Sequence, residues 1–237
     1  MPKIGKNING EKNFTRFLDI LLSNAKPAKV LVIGGESLGN GMDALIKSEE
    51  IELIETDVSL NSRTMLICDG HDIPFLDNTF DGVVIQAVLE HVVDPYKCVE
   101  EIYRVLKDES LVYSETPFMQ QVHMGCYDFT RFTHLGHRRL FRRFEEIESV
   151  AVCGPGMALA WSYQYFLLSF LKSNIMKKLV IYFTNFTSFF LKYFDYYLIN
   201  REGVFDSASG YYFLGKKSYL ILSDKDLIKG YRGSQKR

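Results

Sequence analysis

His91, in the run Leu89-Glu90-His91, directly follows an apolar stretch and is the first candidate for a general base. Such a base makes an oxygen or nitrogen nucleophilic by taking its proton. The alternative is a capping or supporting histidine. His123 is the second catalytic candidate. It sits in a polar and aromatic cluster with Tyr127, Asp128 and Arg131, inside PFMQQVHMGCYDFTRFTHLGHRRLFRR, residues 117–143. That cluster suits a grip on a sugar or carboxylated ring, or a hydrogen-bond network supporting a loop. Arg138, Arg139, Arg142 and Arg143 follow at helical spacing. They fit bidentate recognition of an anion or a solvated helix face.

A second group of residues suits binding. The run Gly34-Gly35-Glu36-Ser37-Leu38-Gly39-Asn40-Gly41 would let backbone approach a bulky ligand and expose N–H groups at a helix start. Glu55 and Asp57 lie 20 and 22 residues beyond Gly35. A carboxylate near that distance can accept hydrogen bonds from a ribose diol, and this holds equally for a nicotinamide dinucleotide. Glycine-rich turns and acidic strand ends also occur for purely structural reasons.

All of these groups need strands that end beside them. Val30-Leu31-Val32-Ile33 breaks into the first glycines, and Ile51–Ile54 runs into Glu55-Thr56-Asp57. Met65–Cys68 ends in Asp69, Phe80–Ala87 carries DGVVIQA, and Leu111–Ser114 leads to Glu115-Thr116-Pro117. Runs apolar on both faces suit parallel strands covered on each side. Helical spacing marks Phe14–Leu22 and Asp94–Leu106, the latter with Pro95 in its first turn. Strands alternating with helices predict an α/β, doubly wound, mostly parallel sheet. Ile147–Val152 and Tyr211–Leu214 are further strand candidates, and residues 158–200 read as helical and aromatic.

The stretch DGHDIPFLDNTFDGVVIQAVLEHVVDPYKCVEEIYRVLK resembles the middle of a class I S-adenosylmethionine-dependent methyltransferase, most closely the type-11 small-molecule branch. The resemblance covers about residues 27–118, with a weaker match at YYFLGKK. It implies a seven-stranded Rossmann-like sheet in one domain over residues 1–237. Residues 27–118 would form the cofactor half, 119–210 the acceptor-side elaboration with a helical insertion, and 211–222 the last strand region. It implies S-adenosyl-L-methionine as cofactor, held by Gly34, Gly35, Glu36, Gly39, Asp57, Asp69, Gly70, His71, Gln86 and Ala87. In that family the aspartate after the third strand holds the adenine amine, which points to Asp69. The amides of Gly70 and His71 would meet the ring nitrogen.

The chain departs from the family at Val32, where an acidic residue is usual, and in its GGESLGNG loop. Glu36 is the candidate for the missing carboxylate. Glu90-His91 is also similar to a pair in metal-assisted O-methyltransferases, in which another acidic residue stands three positions earlier. Ala87 holds that position here, so no metal is expected.

Composition narrows the partners. The 28 basic and 29 acidic residues give a net charge of −1, which excludes a wholesale basic surface for nucleic acid. Four scattered cysteines without a C-x-x-C pair fit neither a zinc ribbon nor a disulfide framework. MPKIGKNINGEKN has no apolar signal-peptide core, so a reduced, cytoplasmic protein is expected. Phe and Tyr crowd into residues 161–197, interrupted by lysines and too often by polar residues for a spanning helix. That segment is expected to cover the acceptor site as a lid; core, peripheral membrane contact and a homodimer face are the alternatives. The function implied is methyl transfer to an oxygen or nitrogen of a small molecule or glycan- or lipid-linked precursor. The competing class is a methyltransferase-fold binding or regulatory protein without turnover.

Overall fold

Apolar side chains that alternate along each strand supply two cores, one on each face of a central sheet. Val30 and Val32 of β1 (Ala28–Ile33) face one core with Val84 of β4 (Phe80–Gln86). Leu31 and Ile33 face the other, with Val83 and Ile85. Burial on both faces is why these strands read as unbroken apolar runs. The computed structural model describes residues 3–5, 7–35, 39, 41–60 and 63–235.

The remaining strands are β2 (Ile51–Asp57), β3 (Leu66–Ile67), β5 (Leu106–Pro117), β6 (Phe144–Cys153) and β7 (Gly210–Lys217). Their order across the sheet is β3-β2-β1-β4-β5-β7-β6. The first five are parallel, while β7 runs antiparallel to both β5 and β6. The order turns back at β1 and β4, where an open α/β sheet forms its ligand crevice beyond the strand ends.

Helices cover both faces. α1 (Gly10–Asn24) buries Phe14, Phe17, Leu18 and Leu21 on the first core. The short α2 (Asp43–Lys47) follows β1. α3 (Pro95–Val105) buries Cys98, Val99, Ile102 and Tyr103 on the second core. Asp94 caps α3 by accepting hydrogen bonds from the amides of Tyr96 and Lys97, and such a cap is worth about 1 kcal/mol. Beyond β5 come α4 (His134–Leu140), α5 (Pro155–Leu168), α6 (Asn174–Ser188), α7 (Leu191–Leu198), α8 (Val204–Ser207) and α9 (Asp224–Lys229).

One expectation changes here. The four arginines do not form one helical stripe, because α4 ends at Leu140. Arg138 is buried against Glu146 and the carbonyls of Phe141 and Phe144. Arg139 pairs with Asp224, Arg142 donates to the Leu222 carbonyl, and Arg143 stacks 3.7 Å above the Tyr103 ring. These contacts make them structural. The aromatic segment is three helices, and α6 is polar inside and aromatic outside. Thr184 and Ser188 are buried, with Gln164 of α5 donating to Thr184 Oγ1 at 2.8 Å. Ile175, Leu179, Phe183 and Phe186 face outward. No helix among the described residues is long and apolar enough to cross a membrane.

Candidate active site

The loops after β1, β2, β3, β4 and β5 enclose one cleft of about 490 Å³. Gly34, Asp57, Asp69, Gly70, Gln86 and Ala87 line it, and so do His91 and His123. Chemistry-bearing side chains therefore share a cavity with the glycine turn, although some 90 residues of sequence separate the ends of the set.

Gly34 has φ +79°, and a Cβ there would fall 2.2 Å from Val88 Cγ2. Its backbone conformation and its contact both favour glycine. The amides of Gly34 and Gly35 donate to the Thr56 carbonyl at 2.9 and 3.0 Å, tying the turn to β2. Gly35 does not line the cleft; it lies against Glu55, which is ion-paired with Arg63. Gly39 rests on the Gln86 amide, where a Cβ would overlap Oε1 at 1.4 Å. Glu36 falls outside the described residues.

Asp57 Oδ1 accepts from the Ser59 amide and hydroxyl, both at 3.0 Å, which fixes the carboxylate at the end of β2. Asp69 is exposed toward the cleft, and its Oδ1 accepts from the His71 amide at 2.9 Å. That hydrogen bond, opposed by partial burial, holds the Asp69 carboxyl below its ordinary range. His71 is placed differently from the expectation. Its amide is already engaged by Asp69, its Nδ1 lies 2.5 Å from Asp69 Oδ1, and its Nε2 accepts from the Asp94 amide. His71 thus positions Asp69 and does not line the cleft. Ala87 has φ +54°, an uncommon conformation for a residue with a Cβ, where the chain turns out of β4.

Beneath the glycine loop, Glu115 at the end of β5 accepts from Tyr113 Oη at 2.5 Å, Gln86 Nε2 at 2.7 Å and Asn7 Nδ2 at 3.2 Å. Burial pushes its carboxyl upward. Sequence reasoning marked Glu115 as a strand end without finding this network, because Asn7 and Gln86 arrive from distant segments.

The segment between β5 and α4 brings the two catalytic candidates together. Arg131 holds both carboxylate oxygens of Asp128 and donates to the Gln120 and Gln121 carbonyls. Asp128 Oδ2 accepts from the His123 amide at 2.7 Å. The amides of Phe129 and Thr130 donate to the Glu90 carbonyl. This framework sets His123 Nε2 3.2 Å from His91 Nε2. His91 Nδ1 donates to the Tyr127 carbonyl at 2.8 Å. Glu90 is fully buried behind the pair, with Oε1 3.5 Å from His123 Nε2 and 3.7 Å from His91 Nε2. Its carboxylate raises the proton affinity of His123. Asp128 and Arg131 satisfy each other and support the loop, leaving His123 and Tyr127 to face the cleft.

None of the described residues that line this cleft comes from α5–α7, which the lid expectation required. Those helices reach the loop through Ser162, which accepts from Gln121 Nε2 at 3.1 Å.

Residues 43–114, spanning α2 to β5, match the model of a methyltransferase domain. The chain has the class I methyltransferase fold. Over 137 residues it is 32% identical to the chloroplastic 2-phytyl-1,4-beta-naphthoquinone methyltransferase of Arabidopsis thaliana, covering 50% of this chain and 52% of that protein. The chain thus spans about half the length of the curated relative it matches. Two solved structures share the fold at low identity. One is a Galdieria sulphuraria protein assigned as a sarcosine dimethylglycine methyltransferase (TM-score 0.55, 15% identity, 89% of this chain, 86% of that one). The other is the 1,6-didemethyltoxoflavin-N1-methyltransferase of Burkholderia thailandensis (TM-score 0.51, 11% identity, 88% and 79%), solved with its substrate and S-adenosylhomocysteine. The fold's ligand crevice coincides with the cleft that His91 and His123 enter.

Proposed function

We propose that the protein transfers a methyl group from S-adenosyl-L-methionine to an oxygen or nitrogen of a small-molecule acceptor. The observation that carries this reading is the single cleft that Asp57 and Asp69 line together with His91 and His123. The residues fit the cofactor. The glycine turn packs too closely on Val88 and Gln86 for a Cβ at Gly34 or Gly39, which keeps bare backbone at the cleft wall, and two carboxylates are fixed at the ends of β2 and β3. Asp57 would accept from the ribose hydroxyls and Asp69 from the adenine amine, with Gly70 admitting the ring. When bound, S-adenosyl-L-methionine supplies an electrophilic methyl on sulfur.

Most of the remaining work is orientation, which contributes up to about 7–11 kcal/mol in well-aligned systems. Gln86 and Ala87 would bound the reacting end of the cleft. His91, whose Nδ1 proton is held by the Tyr127 carbonyl, presents Nε2 as the atom that can take the acceptor's proton. Isothermal titration with S-adenosyl-L-methionine, then mass spectrometry of cell extract incubated with protein and isotopically labelled donor, tests the proposal. Donor binding without any labelled product would favour the binding-protein alternative; no donor binding would reject both.

A second reading concerns the acceptor's carrier. The outward aromatic face of α6 and the exposed Phe166 and Phe170 sit beside exposed Lys172 and Lys178. This combination suits an anionic membrane interface and a lipid-linked acceptor. Sedimentation with liposomes, with and without anionic lipid, tests it; recovery in the supernatant in both cases would sink it.

A further inference from the structure

The sequence offered no third donor beside Glu90-His91, since Ala87 has none to give. The fold supplies one from 32 positions downstream. We infer that Glu90, His91 and His123 bind one divalent transition-metal ion of the zinc class, through Glu90 Oε1, His91 Nε2 and His123 Nε2.

Three observations carry the inference. The three atoms are separated by 3.2, 3.5 and 3.7 Å. A triangle with those sides fits a circle of radius about 2.0 Å, which matches zinc's bond lengths of about 2.0–2.1 Å to imidazole and about 2.0–2.2 Å to carboxylate. The tautomer also suits ligation. The Tyr127 carbonyl accepts from His91 Nδ1, leaving the Nε2 lone pair directed at its neighbour, a common supporting contact for a metal-binding histidine. Finally, the Glu90 carboxylate is 0% exposed and lacks a well-formed hydrogen bond among the described residues, with the two imidazoles 3.5 and 3.7 Å from its Oε1. A buried carboxylate without well-formed hydrogen bonds calls for a cation. Two imidazoles and one carboxylate favour zinc, iron, nickel or copper over magnesium or calcium.

His91 and His123 line the cleft while Glu90 lies behind them. The three ligands therefore leave an open coordination position on the cleft side, the pattern of catalytic zinc sites. There an acceptor oxygen or nitrogen could bind with its acidity raised by the ion and release its proton to solvent; in the ion-loaded chain both imidazoles are ligands, and His91 Nε2 serves as proton acceptor only in the ion-free chain. The acceptor's place on the ion rests on the methyl-transfer reading; binding of the ion does not.

The test uses the full chain without a polyhistidine tag, stripped with chelator and titrated calorimetrically with zinc and, separately, magnesium. One equivalent of zinc and no magnesium uptake is expected. X-ray absorption should show only nitrogen and oxygen neighbours, with imidazole scattering. His123→Ala and Glu90→Gln, each checked for native circular dichroism, should weaken zinc binding beyond the roughly 10–100-fold typical of a lost supporting contact. If the two imidazoles merely share a proton, the wild-type protein takes up no zinc and the inference fails. It also fails if sulfur appears in the absorption spectrum, or if both folded variants bind zinc as wild type does. Titrating the same stripped protein with S-adenosyl-L-methionine keeps the two ideas apart. Zinc uptake without donor binding rejects the cofactor reading alone, and donor binding without zinc uptake rejects the metal alone.

Discussion

Arg131 grips both carboxylate oxygens of Asp128, and through that ion pair the chain decides where His123 stands. The Asp128 side chain is only 1% exposed, and Arg131 holds its carboxyl down to about 2. Replacing Arg131 with Gln leaves a buried carboxylate without its cation, which costs about 3–5 kcal/mol when both partners are buried and less for this partly exposed arginine. The loop should loosen while the β-sheet survives. Donor affinity is expected to stay near wild type while the transfer rate falls up to about a hundredfold, as for an ångström-scale misplacement. A transfer rate unchanged in the folded variant would show that the loop does not position His123 for the reaction.

Asp69→Ala should weaken S-adenosyl-L-methionine binding about ten- to a hundredfold, the equivalent of about 1.5–3 kcal/mol for a hydrogen bond to a charged group. Asp57→Ala should do the same through the ribose. Because Asp57 also holds the Ser59 turn, Ser59→Ala separates loss of the turn from loss of the contact. Calorimetric dissociation constants at or near wild type in folded Asp69→Ala and Asp57→Ala would remove both assignments.

Gly34→Ala sets a methyl against Val88 Cγ2 and places a Cβ at φ +79°. The combined variant Gly34→Ala/Val88→Ala removes the clash and leaves the backbone cost, about 1–2 kcal/mol. The double variant should recover part of the donor affinity lost in the single one. Equal loss in both, measured by the same titration, would mean that Val88 is not the obstacle.

His134 and His137 are buried neutral and give a definite acid response. Burial pushes His134 down to about 4 and His137 down to about 3. His134 donates to or accepts from Ser149 Oγ and is influenced by Arg232, Glu146 and Arg138; His137 faces Ser114 Oγ, His134 and Arg138. Both bind protons more weakly in the folded chain than unfolded, where the ordinary value is about 6.5. Their contribution is therefore complete above about pH 6.5 and is lost as pH falls toward 4. At pH 5 the loss is roughly 2 kcal/mol per histidine. Urea unfolding at pH 7 and pH 5 measures it, and His137→Gln should flatten the difference. A midpoint independent of pH between those values would contradict the neutral buried assignment.

Local pattern carried the sheet because two-faced burial leaves a direct trace: Val30–Ile33 and Val83–Ile85 are apolar at every position and are buried on both faces. β5 (Leu106–Pro117) is longer than its apolar run Leu111–Ser114 indicates. Lys107-Asp108-Glu109-Ser110 is polar, yet the ladder with β4 continues from Leu106 around an irregularity that contains Glu109 at φ +62°. The positions of the glycine turn and of Asp57 and Asp69 were legible because each stands at or just past the end of a strand. The meeting of Glu90, His91 and His123 was not. It depends on a loop turned at Met124, φ +62°, and on a clamp between Asp128 and Arg131 that no periodicity signals. The inverted face of α6 was also hidden, since composition counts aromatics without saying which way they point.

The placement of β7 between β5 and β6 has a consequence for the order in which the molecule can be made. Among the described residues β6 pairs with no strand except β7, and β7 is synthesised only after α5, α6 and α7. Until then β6 has no ladder to join, and three helices bearing outward aromatics follow it into solution. Unpaired strands and exposed apolar surface of this kind make nascent chains adhesive. For this chain the vulnerable interval on the ribosome opens at Phe144 and closes when Lys217 has emerged.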